Sequence, residues 1–197
     1  MTHQLVLIRH GQTEWARDGR HTGRTDVPLT PTGEQQARDL APLLEPYRGC
    51  PVLVSPLQRA SRTAELAGLG DAVVEPELVE WDYGAYEGLT TPEIRELAGP
   101  SWTVFADGVV PGDSPGESLE DVARRARAVL GRVRPLMTDS DVVLVGHGHQ
   151  LRILASCWLE APPAFGARLL LSPASLSVLG EQHDVPAIVG WNVAAQD

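Results

Sequence analysis

Two short apolar runs, each ending in a histidine beside glycine, constrain the fold more than any other feature of this chain. The first run, residues 5–8, leads into Arg9 and His10, and the second run, residues 142–145, precedes His147. Unbroken runs of this length are typical of strands that are buried on both faces of a mostly parallel sheet. Because ligand sites in such folds lie beyond the carboxyl ends of the strands, we expect the two histidines to share one pocket.

The rest of the sequence alternates between strand and helix signals, which is typical of an α/β protein. Further strands are expected at residues 52–54, 73–74, 78–79, 169–171, 175–179 and 187–191. Helices are expected at residues 31–44, 57–67, 91–97, 119–136 and 150–159, with Thr30, Ser55 and Ser118 as N-terminal caps. We therefore predict a three-layer α/β/α sandwich with a mostly parallel central sheet, formed as a single domain over residues 1–197.

Composition limits the classes of partner. The net charge of −10 argues against nucleic acid or an anionic membrane as the main ligand. No apolar run approaches the roughly 20 residues that span a bilayer, and no signal-peptide pattern is present, so a cytoplasmic location is expected. All 16 basic residues are arginine, which removes a lysine nucleophile from consideration. Cys50 and Cys157 have no metal or redox spacing and are expected to be reduced.

Two further polar residues occur where a site is expected. Arg59 falls in the first turn of a helix that follows a strand, and a helix N-terminus already favours anions. Glu80 directly follows an apolar run and begins a segment rich in acids, aromatics and glycine, which makes it a candidate proton donor. A polar loop at residues 17–25 is expected over the mouth of the site. The arginines of the long helix are expected on its solvated face: Arg124, Arg125, Arg127, Arg132 and Arg134.

A pocket that holds arginines, histidines and a carboxylic acid suits phosphoryl transfer. Guanidinium and imidazole donors match the peripheral oxygens of a phosphoryl group. A neutral histidine can attack phosphorus and become a phosphohistidine, while fixed cations stabilise the charge of the transition state. A carboxylic acid can protonate the departing alkoxide and then accept a proton from the attacking water. This set of residues requires neither a metal nor another cofactor.

Motifs along nearly the whole chain resemble, in order, those of the histidine phosphatase superfamily, also called phosphoglycerate mutase-like. They occupy residues 7–13 (LIRHGQT), 22–30, 55–64, 80–88, 115–118 and 146–148. The resemblance implies that His10 is the phosphorylated nucleophile, that Arg9, Arg59 and His147 bind phosphate, and that Glu80 donates the proton. The same motifs supply further candidates for phosphate or substrate binding: Gly11, Gln12, Thr13, Thr22, Gly23, Arg24, Gly148 and His149. Of these, Arg24 and His149 are expected near the distal part of a sugar phosphate.

Two departures from the superfamily pattern bear on the activity. Ala16 stands where the first motif usually has an asparagine, so one expected hydrogen bond to substrate is missing. Only a short segment, residues 89–115, occupies the place of the long cap found in cofactor-dependent mutases. Because a short cap gives water access to a phosphohistidine, hydrolysis is favoured. The segments at 80–88 and 146–152 are similar to a subgroup of broad acid phosphatases and sedoheptulose-1,7-bisphosphatase.

The sequence therefore predicts a metal-independent phosphomonoesterase that acts on a small phosphorylated metabolite, as a monomer or a homodimer. Two alternatives stay open at this point. One is a cofactor-dependent phosphoglycerate mutase, and the other is a protein that binds phosphorylated ligands without catalysis. The chemistry also predicts that chelators leave activity unchanged and that activity favours mildly acidic pH, because Glu80 must be protonated to donate.

Overall fold

The computed structural model describes residues 3–195, which form a six-stranded sheet covered by helices. The strands are β1 (Leu5–Arg9), β2 (Val52–Val54), β3 (Val73–Val74), β4 (Val142–Gly146), β5 (Ser175–Gln182) and β6 (Val185–Ala194). Their order is β3-β2-β4-β1-β5-β6. The first four strands in this order run parallel, whereas β5 runs antiparallel to β1 and β6 antiparallel to β5. The predicted α/β class with a mostly parallel sheet is confirmed.

Helices cover both faces of the sheet. They are α1 (Glu14–Arg17), α2 (Pro31–Asp39), α3 (Ala41–Leu44), α4 (Gln58–Leu66), α5 (Thr91–Ala98), α6 (Val104–Asp107), α7 (Leu119–Leu136) and α8 (Gly148–Trp158). Alternate residues of β1 point to opposite faces, as strand geometry requires. Leu5 and Leu7 pack in a cluster with α7 and α8, while Val6 and Ile8 pack in a cluster with Leu40, α3 and α4. Two separate apolar cores on either side of one sheet confirm the predicted three-layer arrangement.

Local sequence signals explain where most of the helices begin. Thr30 caps α2 by accepting a hydrogen bond from the backbone N–H of Gly33, and Pro31 occupies the first helical position. The side chains of Thr90 and Ser118 cap α5 and α7 in the same way, each within a capping box. The helix predicted at residues 31–44 is interrupted at Leu40, so α2 and α3 are separate elements.

Two of the predicted strands are wrong. Residues 76–78 form a 3₁₀ turn, so the expected strand at 78–79 is absent and Glu80 follows extended backbone without sheet pairing. Residues 169–171 form no strand, and side chains bind two of their carbonyl groups. Arg9 donates to the Leu171 carbonyl, and the indole N–H of Trp191 donates to the Leu170 carbonyl. Apolar runs alone do not reveal that a backbone carbonyl is bound by a distant side chain.

The segment predicted as a short cap, residues 89–115, packs directly on one of the two cores. It contains α5 and α6, and its side chains Ile94, Trp102 and Phe105 belong to the same apolar cluster as α7 and α8. The cap is therefore held in place by buried aromatic and aliphatic surface beside the carboxyl edge of the sheet. Within residues 3–195, no helix combines the length and apolar character that crossing a bilayer would require.

Candidate active site

The parallel pairing of β1 with β4 brings the two histidines together. Arg9 lies opposite Gly146 in the register, so the residues that follow, His10 and His147, leave neighbouring strands at the same edge of the sheet. The backbone N–H of His10 donates to the Gly146 carbonyl at 3.0 Å. The ring centroids of the two histidines are 5.1 Å apart. The two histidines therefore lie side by side, as the two apolar runs predict, and both rings are buried next to the cavity that Arg9 lines.

The hydrogen bonds of His10 fix which of its ring nitrogens is free. Nδ1 lies 2.7 Å from the carbonyl oxygen of Gly11. Because a carbonyl oxygen only accepts, Nδ1 carries the proton of the neutral ring and the lone pair of Nε2 is left free. Burial, followed by the positive charges of Arg59 and Arg9, holds the pKa of His10 well below its usual value. A neutral imidazole with a free Nε2 is the form that can act as a nucleophile.

His147 is held by partners on both sides of its ring. The Nε–H of Arg59 donates to Nδ1 at 3.2 Å, so in the neutral ring the proton lies on Nε2, which donates to Ser55 Oγ at 2.7 Å. Burial, and then the charge of Arg59, keep the pKa of His147 well below its usual value. The prediction that Ser55 caps a helix is wrong: α4 begins at Gln58 after an N-cap at Leu57 that lacks a side-chain bond. Ser55 is instead a buried partner of the site.

The loop after residue 21 positions Arg59 through its carbonyl groups. The guanidinium of Arg59 donates to the carbonyls of Thr22, Gly23 and Thr25 at distances between 2.9 and 3.2 Å. Arg59 is fully buried and forms no ion pair with a carboxylate among the described residues. Thr22 and Gly23 therefore contact the site through Arg59, and the exposed Arg24 lies 3.6 Å from a carboxylate oxygen of Glu117. Direct substrate contacts by these three residues stay predictions.

Arg9 brings a second guanidinium to the pocket with a donor to spare. One terminal nitrogen donates to the Leu171 carbonyl, whereas the buried Nε has no hydrogen-bond partner among the described residues. A Cβ atom built on Gly148 would lie 3.4 Å from the guanidinium carbon, so the N-terminus of α8 passes close beside this charge. A buried donor without a partner is costly unless a ligand accepts from it. An anion in the pocket would accept from this guanidinium.

The residues that follow His10 shape the site by their own contacts. The backbone N–H of Gly11 donates to Thr63 Oγ1, and that of Gln12 donates to the side chain of Gln36. Thr13 is buried and caps α1. A Cβ atom on Gly11 would lie 2.3 Å from the Gly33 carbonyl oxygen, so only glycine allows this approach. These contacts fix the backbone beside His10, and phosphate binding by Gly11, Gln12 and Thr13 stays a prediction.

Glu80 is buried and is held by three backbone donors. Its Oε1 accepts from the N–H groups of Trp81 and Gln150, and its Oε2 accepts from that of His149, at distances of 2.9 to 3.0 Å. Two of these donors belong to the first turn of α8, which begins at Gly148 and not at residue 150 as predicted. His149 therefore lies in the first turn of this helix. The helix N-terminus fixes the carboxyl group at the wall of a cavity.

A cavity of about 410 Å³ opens beside Arg9 and Glu80. Three residues of α8 line it, two of which the sequence assigned to the site, and so do several aromatic rings that the sequence did not assign. The assigned groups are Gly148 and His149, and the additional rings belong to His21, Tyr83, Trp102 and Phe105. The hydroxyl of Tyr83 lies 2.6 Å from Nδ1 of His149, and burial lowers the pKa of His149 and raises that of Tyr83. Ala16 also lines this cavity, where the expected asparagine would have added a polar group.

Arg125 contradicts its prediction as a solvated residue. It is buried, it forms two hydrogen bonds of 2.8 Å with the carboxylate of Glu117, and it donates to the carbonyls of Glu77 and Val79. Glu117 in turn accepts from the backbone N–H of Asp82. This network holds the segment on both sides of Glu80 without a strand. Among residues 3–195, no group of three or more His, Cys, Asp or Glu side chains is arranged to hold a metal ion.

Comparison with known proteins agrees with this geometry. A family model described as histidine phosphatase superfamily (branch 1) matches residues 5–194. The chain is 43% identical over 185 residues to an acid phosphatase of Mycobacterium tuberculosis, covering 93% of this chain and 89% of that relative. It is 33% identical over 188 residues to sedoheptulose 1,7-bisphosphatase of Saccharomyces cerevisiae, covering 80% and 68% respectively. It is 34% identical over 194 residues to a probable phosphoglycerate mutase GpmB of Photorhabdus laumondii, covering 96% and 90%.

Solved structures show the same relationship. The structure of the open reading frame Rv3214 from Mycobacterium tuberculosis has a TM-score of 0.92 to this protein at 39% identity, and the match covers 100% of both chains. The family model spans nearly the whole chain, and the relatives exceed 30% identity over most of their own lengths. The chain therefore belongs to the histidine phosphatase superfamily (branch 1), as its motifs predict.

Proposed function

We propose that this protein is a phosphomonoester hydrolase that transfers the phosphoryl group of a small metabolite first to His10 and then to water. The observation that carries the proposal is the state of His10: a neutral ring whose Nδ1 is bound and whose Nε2 is free, beside two guanidinium groups without carboxylate partners. Such a site combines a nucleophile for phosphorus with fixed positive charge for the phosphoryl oxygens.

In the first step, Nε2 of His10 attacks phosphorus and the bond to the ester oxygen breaks. Arg9 and Arg59 stabilise the negative charge that spreads over the peripheral oxygens of the phosphoryl group. His147, whose ring centroid lies 5.1 Å from that of His10, is the proposed third ligand of these oxygens, to which its Nε2–H would donate in place of Ser55 Oγ. The departing alkoxide takes a proton from the carboxylic acid of Glu80, and the alcohol leaves through the cavity that Glu80 lines.

In the second step, a water molecule gives a proton to the carboxylate of Glu80 and attacks phosphorus. The bond between phosphorus and Nε2 breaks, inorganic phosphate leaves, and His10 and Glu80 return to their starting states. All the positive charge that this sequence of steps requires comes from arginine. We therefore propose that the reaction needs no metal ion.

The mutase alternative is supported by the relatives named phosphoglycerate mutase. A mutase must keep water away from the phosphohistidine while a bisphosphate intermediate reorients. The cap of this chain consists of only two short helices, α5 and α6, and exposed side chains such as Arg20 and Arg95 line the cavity beside it. Because water reaches a cavity of this kind, we favour hydrolysis. The cytoplasmic location and the monomeric or dimeric state stay predictions from the sequence.

An assay with 3-phosphoglycerate and a trace of 2,3-bisphosphoglycerate tests whether the protein is a hydrolase or a mutase. We expect inorganic phosphate to accumulate with little 2-phosphoglycerate, and we expect the same rate when EDTA is present. Isomerisation to 2-phosphoglycerate without release of phosphate would make the mutase the better hypothesis. A loss of activity in EDTA that added Mg²⁺ restores would contradict a site whose cations are arginines alone.

A further inference from the structure

The arginines of this chain differ in how their charge is balanced. Most of them form ion pairs with aspartate or glutamate, as Arg62 does with Glu34 and Glu65. Among the described residues, none of the four arginines that line the active-site cavity has such a carboxylate partner: Arg9, Arg20, Arg95 and Arg152. Unbalanced positive charge is therefore collected at one cavity of a protein whose net charge is −10.

Backbone carbonyls, which carry no net charge, orient the three cavity arginines that lie outside the proposed phosphoryl site. Arg20 donates to the Gly88 carbonyl at 2.8 Å, and Arg95 donates to the Trp102 carbonyl at 3.1 Å. Arg152 donates to the carbonyls of residues 166 and 167, and its guanidinium lies 4.9 Å from the centre of the Phe105 ring. Each arginine is thus held in place while other N–H groups of its guanidinium remain available to a ligand.

The rest of the cavity wall adds little negative charge. Within the part of the chain that the structure describes, Glu80 is the one acidic residue on this wall, and the proposed reaction already uses it as the proton donor. Burial lowers the pKa of both His21 and His149, so these two rings are neutral donors or acceptors near pH 7. A volume of about 410 Å³ admits a small metabolite. The alcohol part of the substrate therefore enters a space whose fixed charge is positive.

We propose that the natural substrate carries a second anionic group, a carboxylate or a second phosphate, on the alcohol part, and that Arg20, Arg95 and Arg152 bind it. This inference rests on the proposed phosphatase function and names its substrate class. A charged hydrogen bond from a guanidinium that is already held in place contributes selectivity of roughly tenfold or more, because an analogue that lacks the anion cannot accept this bond.

Matched substrate pairs test the proposal directly. 3-Phosphoglycerate and glycerol 3-phosphate differ only by a carboxylate in place of a hydroxymethyl group, and fructose 1,6-bisphosphate differs from fructose 6-phosphate by a second phosphate. We expect kcat/KM to be roughly tenfold or more higher for the substrate with two anionic groups in at least one pair. The pair in which the preference appears identifies the second anion as a carboxylate or as a phosphate.

Single arginine variants with a matched control complete the test. Arg95→Gln and Arg20→Gln are expected to lose most of the preference within the pair, while kcat/KM for the singly anionic compound changes less than about twofold. Arg134 also forms no ion pair among the described residues, but it lies on α7 away from the cavity. Arg134→Gln removes the same charge and is expected to leave every rate unchanged, which separates a local contact from the effect of net charge.

Different results would contradict the second-anion site, formed by Arg20, Arg95 and Arg152, and the phosphatase function. If the wild-type protein releases phosphate from both members of each pair at equal kcat/KM, the second-anion site is wrong and the phosphatase function stands. The second-anion site is also wrong if Arg95→Gln lowers kcat/KM by the same factor for both substrates of a pair. If no compound releases phosphate, the proposed function is wrong. The anion site is then judged by the dissociation constants of 3-phosphoglycerate and glycerol 3-phosphate, whose equality would reject it.

Discussion

The variant His10→Asn is expected to release phosphate on the order of 10⁴- to 10⁶-fold more slowly than the wild-type protein, because it has no atom that can accept the phosphoryl group. Asparagine suits this position for a geometric reason. Its amide nitrogen overlaps the place of Nδ1 and keeps a donor for the Gly11 carbonyl, which lies 2.7 Å from Nδ1. The change therefore removes Nε2 and little else. Initial rates of phosphate release and the melting temperature should be measured on the same preparation.

His183→Asn serves as the matched control. His183 is exposed, lies in the turn between β5 and β6, and has a φ angle of 53°, which asparagine adopts more readily than most residues. The rate of phosphate release by His183→Asn should equal that of the wild-type protein. If His10→Asn kept more than about one hundredth of the wild-type rate while folding normally, His10 would not be the nucleophile. If the wild-type protein bound inorganic phosphate but turned over no phosphomonoester, the non-catalytic binding protein would be the better hypothesis.

The variant Glu80→Gln is expected to discriminate between leaving groups. An alkoxide such as that of glycerol 3-phosphate requires a proton as it leaves, whereas p-nitrophenolate does not. We expect kcat/KM to fall roughly 10²- to 10⁴-fold for glycerol 3-phosphate and less than about tenfold for p-nitrophenyl phosphate. The ratio kcat/KM is the right quantity because it reports on phosphohistidine formation and not on the later attack of water.

The control for Glu80→Gln is a second buried glutamate. Glu75 also accepts a backbone N–H, that of Glu77, and pairs with Arg132 away from the cavity. Glu75→Gln should leave the kcat/KM of both substrates unchanged. In Glu80→Gln, the new amide group must face one of three backbone N–H donors, so a small loss of stability is expected in addition. An equal loss of kcat/KM for both leaving groups would mean that Glu80 only orients α8.

The parts of this protein that the sequence predicts are those in which local pattern and global fold agree. The apolar runs before His10 and before His147 determine β1 and β4, and parallel pairing then requires that the two rings meet at one edge. The helix caps at Thr30 and Ser118 depend on contacts within four residues, so they are visible in the sequence.

The parts that the sequence does not predict depend on contacts between distant residues. Serine followed by proline is typical of a helix cap, yet the hydroxyl of Ser55 binds His147, 92 residues further along the chain. Arg125 has the spacing of a solvated arginine on α7, but its partners are the carboxylate of Glu117 and carbonyls that precede Glu80. The aromatic rings of Trp102 and Phe105 line the cavity only because the cap folds back over α8. No local pattern encodes these partners.

The stereochemistry of the reaction at phosphorus tests the covalent intermediate most directly. A phosphorothioate monoester whose phosphorus carries sulfur and two different oxygen isotopes is hydrolysed in water that contains the third isotope, and the configuration of the inorganic thiophosphate is determined. Each in-line displacement inverts phosphorus, so transfer to His10 and then to an acceptor oxygen predicts overall retention. Overall inversion would show that water attacks the ester directly, and it would contradict a reaction that passes through a phosphohistidine.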